Sequence, residues 1–467
     1  MTRTPTSTAP RRAVTDPPPG GGLSHGLKQR HLSMIALGGV IGAGLFVGSG
    51  AGIAAAGPAI VLAYAASGLL VMLVMRMLGE MAAANPASGT FSVHAERSLG
   101  PWAGFAAGWM FWVELCVGIA VEAIGAANIM VRWFPATDSW MWVLLFMALF
   151  CGTNLAAVGN FGEFEFWFAT LKVAAIGVFL VLGVLAVLGM LPGTSGGSEL
   201  TAHGGFLPNG TDGLVAGLLA SVFAYGGLET VTIAAAESEQ PVKGVASAVR
   251  TAMWRIALFY VGSMLVVVTV IPWSDPSIVK DGPYVAVLNF LNIPAAGEIM
   301  NVIVLIALLS AMNANIYGAS RMSHSLVLRG EGPRFLGKVS GGVPRRTVVA
   351  SSAFGFFAVL LSYWWPDTVF KWLLYMTGAA VLVVWALIAV TQLSMRRRLE
   401  REAPERLVVR MWMFPVLTWA ALAGILAVLA LMLREEETAV QLYATAGLTA
   451  VLVLAGYVRQ RLAAARR

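Results

Sequence analysis

Apolar residues gather in twelve runs of about 17–25 residues, each able as a helix to cross a hydrocarbon layer about 30 Å thick. The runs cover 31–53, 58–78, 103–131, 139–158, 165–190, 213–236, 253–272, 296–320, 347–364, 370–394, 411–433 and 439–459, and polar residues are concentrated between them. This pattern predicts an all-α polytopic membrane protein with twelve transmembrane helices. Two runs are interrupted in the same way. The first carries Gly38, Gly39, Gly42, Gly44, Gly48 and Gly50, and the sixth carries Gly226 and Gly227 shortly before Glu229. Interior glycine costs a helix about 0.5–1 kcal/mol relative to alanine, so some packing or functional gain has to offset it.

Two explanations compete for these glycines. They allow a neighbouring helix to pack closely, or they allow the helix to unwind and present bare backbone to a ligand at mid-membrane. If the first ten runs form two five-helix halves, run six is the counterpart of run one. Matched interruptions of this kind point to a binding site between inverted repeats. Freed N–H groups at a half-helix start suit a carboxylate, and freed C=O groups at the other end suit an ammonium. A zwitterionic amino acid satisfies both. Ile41, Gly42, Ala43 and Gly44 in the first break, and Phe223, Ala224, Tyr225, Gly226 and Gly227 in the second, are the candidate substrate-binding residues. Of Phe223 and Tyr225, one is expected to line the pocket or cover it.

Composition strengthens the membrane reading, since 58% of the 467 residues are hydrophobic and 12% charged, with mean hydropathy +0.77. The formal charge of +7 does not mark a nucleic-acid-binding domain, because the basic residues sit in short segments between runs. With the N-terminus inside, 26 of the 31 Lys and Arg residues fall on the inner side, 4 fall outside and Lys172 lies within a run. That asymmetry predicts a multi-pass protein of the cytoplasmic membrane with both termini cytoplasmic. Residues 1–26 read as a disordered cytoplasmic tail, 27–400 as a ten-helix transport core, and 401–467 as two further helices with a basic C-terminus. The outer connection 191–213 reads as flexible, and the inner segment 79–101 as short and amphipathic or irregular. Cys116 and Cys151 lie in apolar runs and the five histidines are scattered. Neither a metal site nor a cofactor is expected.

Four ionisable residues fall inside runs: Glu114, Glu122, Lys172 and Glu229. Such residues are costly in a bilayer and mark function by default. Lys172 and Glu122 are the candidates for proton coupling. The Lys172 ammonium is expected between the first broken helix and run eight, approaching Ser310, where a sodium ion would otherwise sit; a permanent ion pair with a glutamate is the structural alternative. Glu114 lies eight positions before Glu122, about 12 Å along the helix and about 80° round it, so the two need not share a role. For Glu114 the expectation is a carboxyl that is protonated or faces water. Glu229 is expected to support the second break by bonding its freed amides.

The residues also resemble a known family. Leu27-Lys28-Gln29-Arg30-His31-Leu32 followed by Gly38-Gly39-Val40-Ile41-Gly42-Ala43-Gly44-Leu45-Phe46-Val47-Gly48-Ser49-Gly50 is similar to the opening of bacterial amino acid permeases. These belong to the amino acid-polyamine-organocation superfamily, here the amino acid transporter family of GABA, aromatic amino acid and proline permeases. The likeness continues through Met75-Arg76-Met77-Leu78-Gly79-Glu80-Met81, Phe161-Gly162-Glu163-Phe164-Glu165-Phe166-Trp167-Phe168-Ala169, Thr232-Ile233-Ala234-Ala235-Ala236-Glu237 and Gly342-Val343-Pro344. It implies a five-plus-five inverted repeat of leucine-transporter type followed by two C-terminal helices, and proton-coupled amino acid uptake. Lys172, Glu122 and Glu229 match the family's charged residues, and Ser310 with Asn313 match a supporting polar pair in run eight. Glu114 stands where the family usually has an apolar or aromatic residue, and Tyr225 where Phe is usual. The predicted function is import of a zwitterionic amino acid, or a relative such as GABA, with protons. An exchanger on the same fold is the alternative, with a channel or membrane-embedded enzyme as readings from other classes. The expected partners are an amino acid substrate, protons and the lipid bilayer.

Overall fold

Each of the twelve apolar runs contains helix. The computed structural model describes residues 34, 41–85, 90–156, 158–191, 197–229, 247, 249–251, 253–340, 342–366, 368–434 and 436–465. The N-terminal tail, Gly38 and Gly39, and the motif at 232–237 lie outside them. The first run emerges from a wide turn at Gly44–Gly48 into α1 (Ser49–Ala56), which Gly57 ends with a left-handed φ of 61° before Pro58. There follow α2 (Ile60–Ala84), α3 (Thr90–Leu99), α4 (Pro101–Trp133), α5 (Ser139–Ala156), α6 (Val158–Val187) and α7 (Gly210–Phe223). A second wide turn, Ile256–Val261, leads into α8 (Gly262–Val270). The short α9 (Ser277–Lys280) and α10 (Pro283–Phe290) precede α11 (Ala296–Leu328), α12 (Arg345–Trp364), α13 (Val369–Glu402), α14 (Val416–Met432) and α15 (Glu436–Ala465). Among the described residues nine helical stretches are long and apolar enough to cross a membrane, the first of them, Gly44–Ala84, holding two predicted runs; α7 and α14 are shorter apolar helices.

Helix α4 is the axis of the molecule. It packs against α3, α5, α11, α12, α13 and α15, and 83% of its most apolar stretch is buried, against 22% for α5 and for the last helix. Leu69, Val178, Trp254 and Leu454 point outward, as apolar side chains do where the surrounding solvent is lipid. Helices α1 and α2 both pack on α7, which brings the first and sixth runs together.

The inner segment between α2 and α4 contains a helix, α3. Gly100, at φ 114°, and Pro101 at the first helical position separate α3 from α4. Arg329, just past α11, pairs with Glu96 of α3 at 3.0 Å and with Glu331 at 3.1 Å. The described part of the outer connection is bonded to its surroundings. Trp273 Nε1 donates to the His203 carbonyl at 3.1 Å, and Asn209 Nδ2 to the Ala55 carbonyl at 2.9 Å, so polar groups of the loop are bonded down over the end of α1. Arg255, one of the 26 basic residues counted to the inner side, is buried beside Tyr225 and Tyr260.

Candidate functional site

The first break opens at Ile41 and Gly42. The Gly42 carbonyl accepts from both Leu45 and Phe46 N–H at 3.2 Å, and the wide turn carries the chain into α1. Backbone groups freed at such a break must find other partners. The Ile41 carbonyl accepts from Lys172 Nζ of α6 at 3.3 Å. The Ala43 N–H donates to Glu122 of α4, at 3.0 Å to Oε2 and 3.2 Å to Oε1. The acceptor end and the donor end of the break are therefore each held by a titratable side chain. Gly42 lacks a Cβ for a plain reason: one would stand 2.3 Å from the Glu122 carboxylate.

The second break follows Phe223. Ala224, Tyr225 and Gly226 donate at 3.1 Å to carbonyls only three positions back, and Gly227 then turns the chain with φ 84°, a conformation glycine adopts without strain. Glu229 accepts from Trp385 Nε1 of α13 and lies beside the amides of Gly227 and of Glu229 itself. The two breaks meet backbone to backbone, because a Cβ on Gly44 would stand 2.5 Å from Ala224 Cα. Close packing and unwinding, competing readings of the sequence, thus coexist at one residue.

Beside the first break lies a buried charged group. Lys172 and Glu165, both fully buried on α6, approach to 3.9 Å. They are seven positions apart on one helix face, and the lysine leans back toward the helix N-terminus to close the gap. Ser310 of α11 donates to both Glu165 oxygens at 2.9 Å. Lys172 therefore sits against the broken helix as expected, but Ser310 reaches Glu165 in place of the ammonium. Glu165 was missed as a functional residue because it stands at the predicted edge of run five. Its signal was present, the second carboxylate of Glu163-Phe164-Glu165-Phe166-Trp167, one heptad before Lys172.

A cavity of about 40 Å³ lies where α4 passes the two breaks, lined by Gly44, Glu114, Glu122, Phe223, Gly226 and Gly227 with Asn315 and Thr377. That is several times the roughly 10–15 Å³ one water requires. Of the two aromatic candidates, Phe223 lines it. Tyr225 does not: its hydroxyl donates to the Tyr64 carbonyl at 2.9 Å and its ring stacks on Tyr260 with centroids 4.7 Å apart. Asn313 also lies apart from it, accepting from Asn154 Nδ2 at 2.7 Å. Asn315, two positions on and about 200° round the helix, is the residue that faces the cavity. Nothing local in the sequence distinguishes Asn315 or Thr377. Among the described residues no three His, Cys, Asp or Glu side chains are placed to hold a metal ion.

The profile of the family described as amino acid permease matches residues 31–466. The chain is 48% identical to a protein named "Probable GABA permease" from Pseudomonas aeruginosa over 443 residues, covering 94% of this chain and 93% of the relative. It is 44% identical to a "Gamma-aminobutyric acid permease" of Bacillus subtilis over 436 residues, 93% of each chain. It is 45% identical to the "Aromatic amino acid transport protein AroP" of Corynebacterium glutamicum over 446 residues, 94% of this chain and 95% of that one.

Proposed function

From the chain's membership of the amino acid permease family, a family of membrane transporters and not of enzymes, we propose that it imports a zwitterionic amino acid, or an amine-carboxylate such as GABA, together with protons. The observation that carries this reading is the first break, whose carbonyl is held by Lys172 and whose amide is held by Glu122. Both holds depend on protonation. A neutral lysine loses its attraction to Glu165, and a protonated Glu122 is a weaker acceptor for the Ala43 amide. Proton movement between these groups and the two aqueous sides therefore changes how firmly the broken helix is fixed. The helix bundle that carries it then rocks against the rest to expose the cavity to alternate sides. The substrate sits in the cavity beside the contact of Gly44 with Ala224, and Glu229 and Ser310 steady the breaks from behind. The names of the relatives, two GABA permeases and an aromatic amino acid transport protein, support a substrate carrying both amine and carboxylate.

The membrane is the cytoplasmic one and both termini lie inside, in keeping with the 26 to 4 division of basic residues. A membrane potential supplies roughly 2.3 kcal/mol per charge per 100 mV, enough to drive concentrative uptake. Uptake of labelled amino acids and GABA into proteoliposomes, with and without an imposed inward proton gradient, tests the proposal. Accumulation that follows the gradient and is abolished by a protonophore is expected. Uptake that requires a trans substrate and ignores the protonophore would replace symport with exchange.

A further inference from the structure

Glu114 is 2% exposed, and neither of its carboxylate oxygens has a hydrogen-bond partner among the described residues. It lines the cavity between the breaks, beside the Gly227 amide and near the Glu229 carboxyl. The other carboxylate of that lining, Glu122, is occupied by the Ala43 amide, and among the described residues the lining contains no Lys, Arg or His. In its ionised form a carboxyl held this way is costly unless a partner arrives. The partner that fits is an ammonium, which donates up to three hydrogen bonds and takes up the charge.

We propose that Glu114 is a specificity-determining residue that receives an amine carried away from the substrate's carboxylate, so that the preferred substrates are ω-amino acids or diamino acids and not neutral α-amino acids. The inference rests on the transporter reading above and deepens it. Its geometry comes from α4: Glu122 holds the first break and Glu114, about two turns away on the same helix, lies beside Gly227 of the second, both carboxyls lining one cavity. A substrate whose head group engages the first break meets Glu114 only with its far end. An aliphatic or aromatic end leaves the carboxylate unpaired, whereas an amine there satisfies it. Asn315 and Thr377 supply neutral polar contacts for the middle of the chain.

Two measurements on the full chain in proteoliposomes test this. In the wild type, lysine and ornithine should compete for uptake at least roughly tenfold better than norleucine and norvaline, which lack the distal amine. In Glu114→Gln, KM for GABA or lysine should rise by roughly tenfold or more while KM for alanine and the Vmax values stay within about twofold. Glu114→Asp, which keeps the charge, should retain most of the preference, and this variant guards against a folding defect in the first. The inference is overturned if amine-bearing and neutral chains compete equally, if KM for all substrates moves in parallel, or if Glu114→Gln uncouples every substrate from the proton gradient, which would make Glu114 a proton carrier. A wild type that carries only neutral amino acids overturns this inference and leaves the transporter reading standing. A wild type that carries none of the compounds removes both.

Discussion

Glu80 and Glu114 are equally buried, each 2% exposed, yet their surroundings are opposite. Glu80, near the inner end of α2, accepts from Gln392 Nε2 at 2.7 Å, from Arg396 Nη1, and from the Met411 amide. It ties α2 to α13 and to the segment leading into α14. Glu114 sits in the middle of α4 with no hydrogen-bond partner among the described residues. The first arrangement is a structural clamp, because a satisfied buried carboxylate holds three parts of the chain in one geometry. The second leaves bonding capacity for something that comes and goes. Lys172, Glu122 and Glu165 lie between these extremes: they have partners, but two of those partners belong to a broken helix. The state of satisfaction of each buried charge, and not burial itself, separates scaffold from site.

That contrast can be broken most forcefully at Lys172. Lys172→Ala should retain membrane insertion but lose proton-driven accumulation by more than roughly a hundredfold. Undiminished accumulation in reconstituted vesicles would make the Lys172–Glu165 pair part of the scaffold. The next largest effect is expected at the contact of the two breaks. Gly44→Leu places side-chain atoms where Ala224 Cα already stands 2.5 Å from a Cβ, so substrate affinity should drop by roughly fiftyfold or more. Equilibrium binding to the purified variant measures this, and normal affinity would mean that the breaks do not frame the substrate.

The clamp should fail differently. Glu80→Gln withdraws the counter-charge of Arg396, which keeps Glu400 at 2.8 Å as a second partner. A loss of about 2–3 kcal/mol in stability is expected, read as a lower melting temperature in detergent. Transport per folded molecule should remain within about threefold of wild type. A selective transport defect at full stability would place Glu80 among the coupling residues.

The smallest effect concerns the cytoplasmic cluster, where Glu331 faces Arg329 at 3.1 Å and Arg459 at 3.8 Å. Burial raises its carboxyl to about 7 despite Arg329. Because this value lies above the unfolded one, the folded state holds the extra proton between the two. The stability so contributed is complete below about pH 4.5 and is lost as pH rises through about 7. The slope of melting temperature between these limits should flatten in Glu331→Gln. An unchanged slope would assign the pH dependence to another group.

Much of this protein was determined by its sequence alone. The twelve apolar runs, the interruptions at Gly42–Gly44 and Gly226–Gly227, and the buried Lys172 and Glu122 are visible because the costs behind them are local. A charge or a glycine in an apolar helix is conspicuous wherever the helix goes. Rotation about the helix axis is not local, since one residue turns a side chain by about 100° and neighbours from distant sequence decide which face looks inward. Only the tertiary structure could therefore turn Tyr225 away to Tyr260 and Phe223 into the cavity, choose Asn315 over Asn313, and bury Arg255. The same holds for partners. Ser310 reaches Glu165 across 145 positions and Glu122 reaches Ala43 across 79. Glu114 remains without a hydrogen bond from any described residue for the same reason: packing of helices far apart in the chain decided which carboxylates would be paired and which would face the cavity.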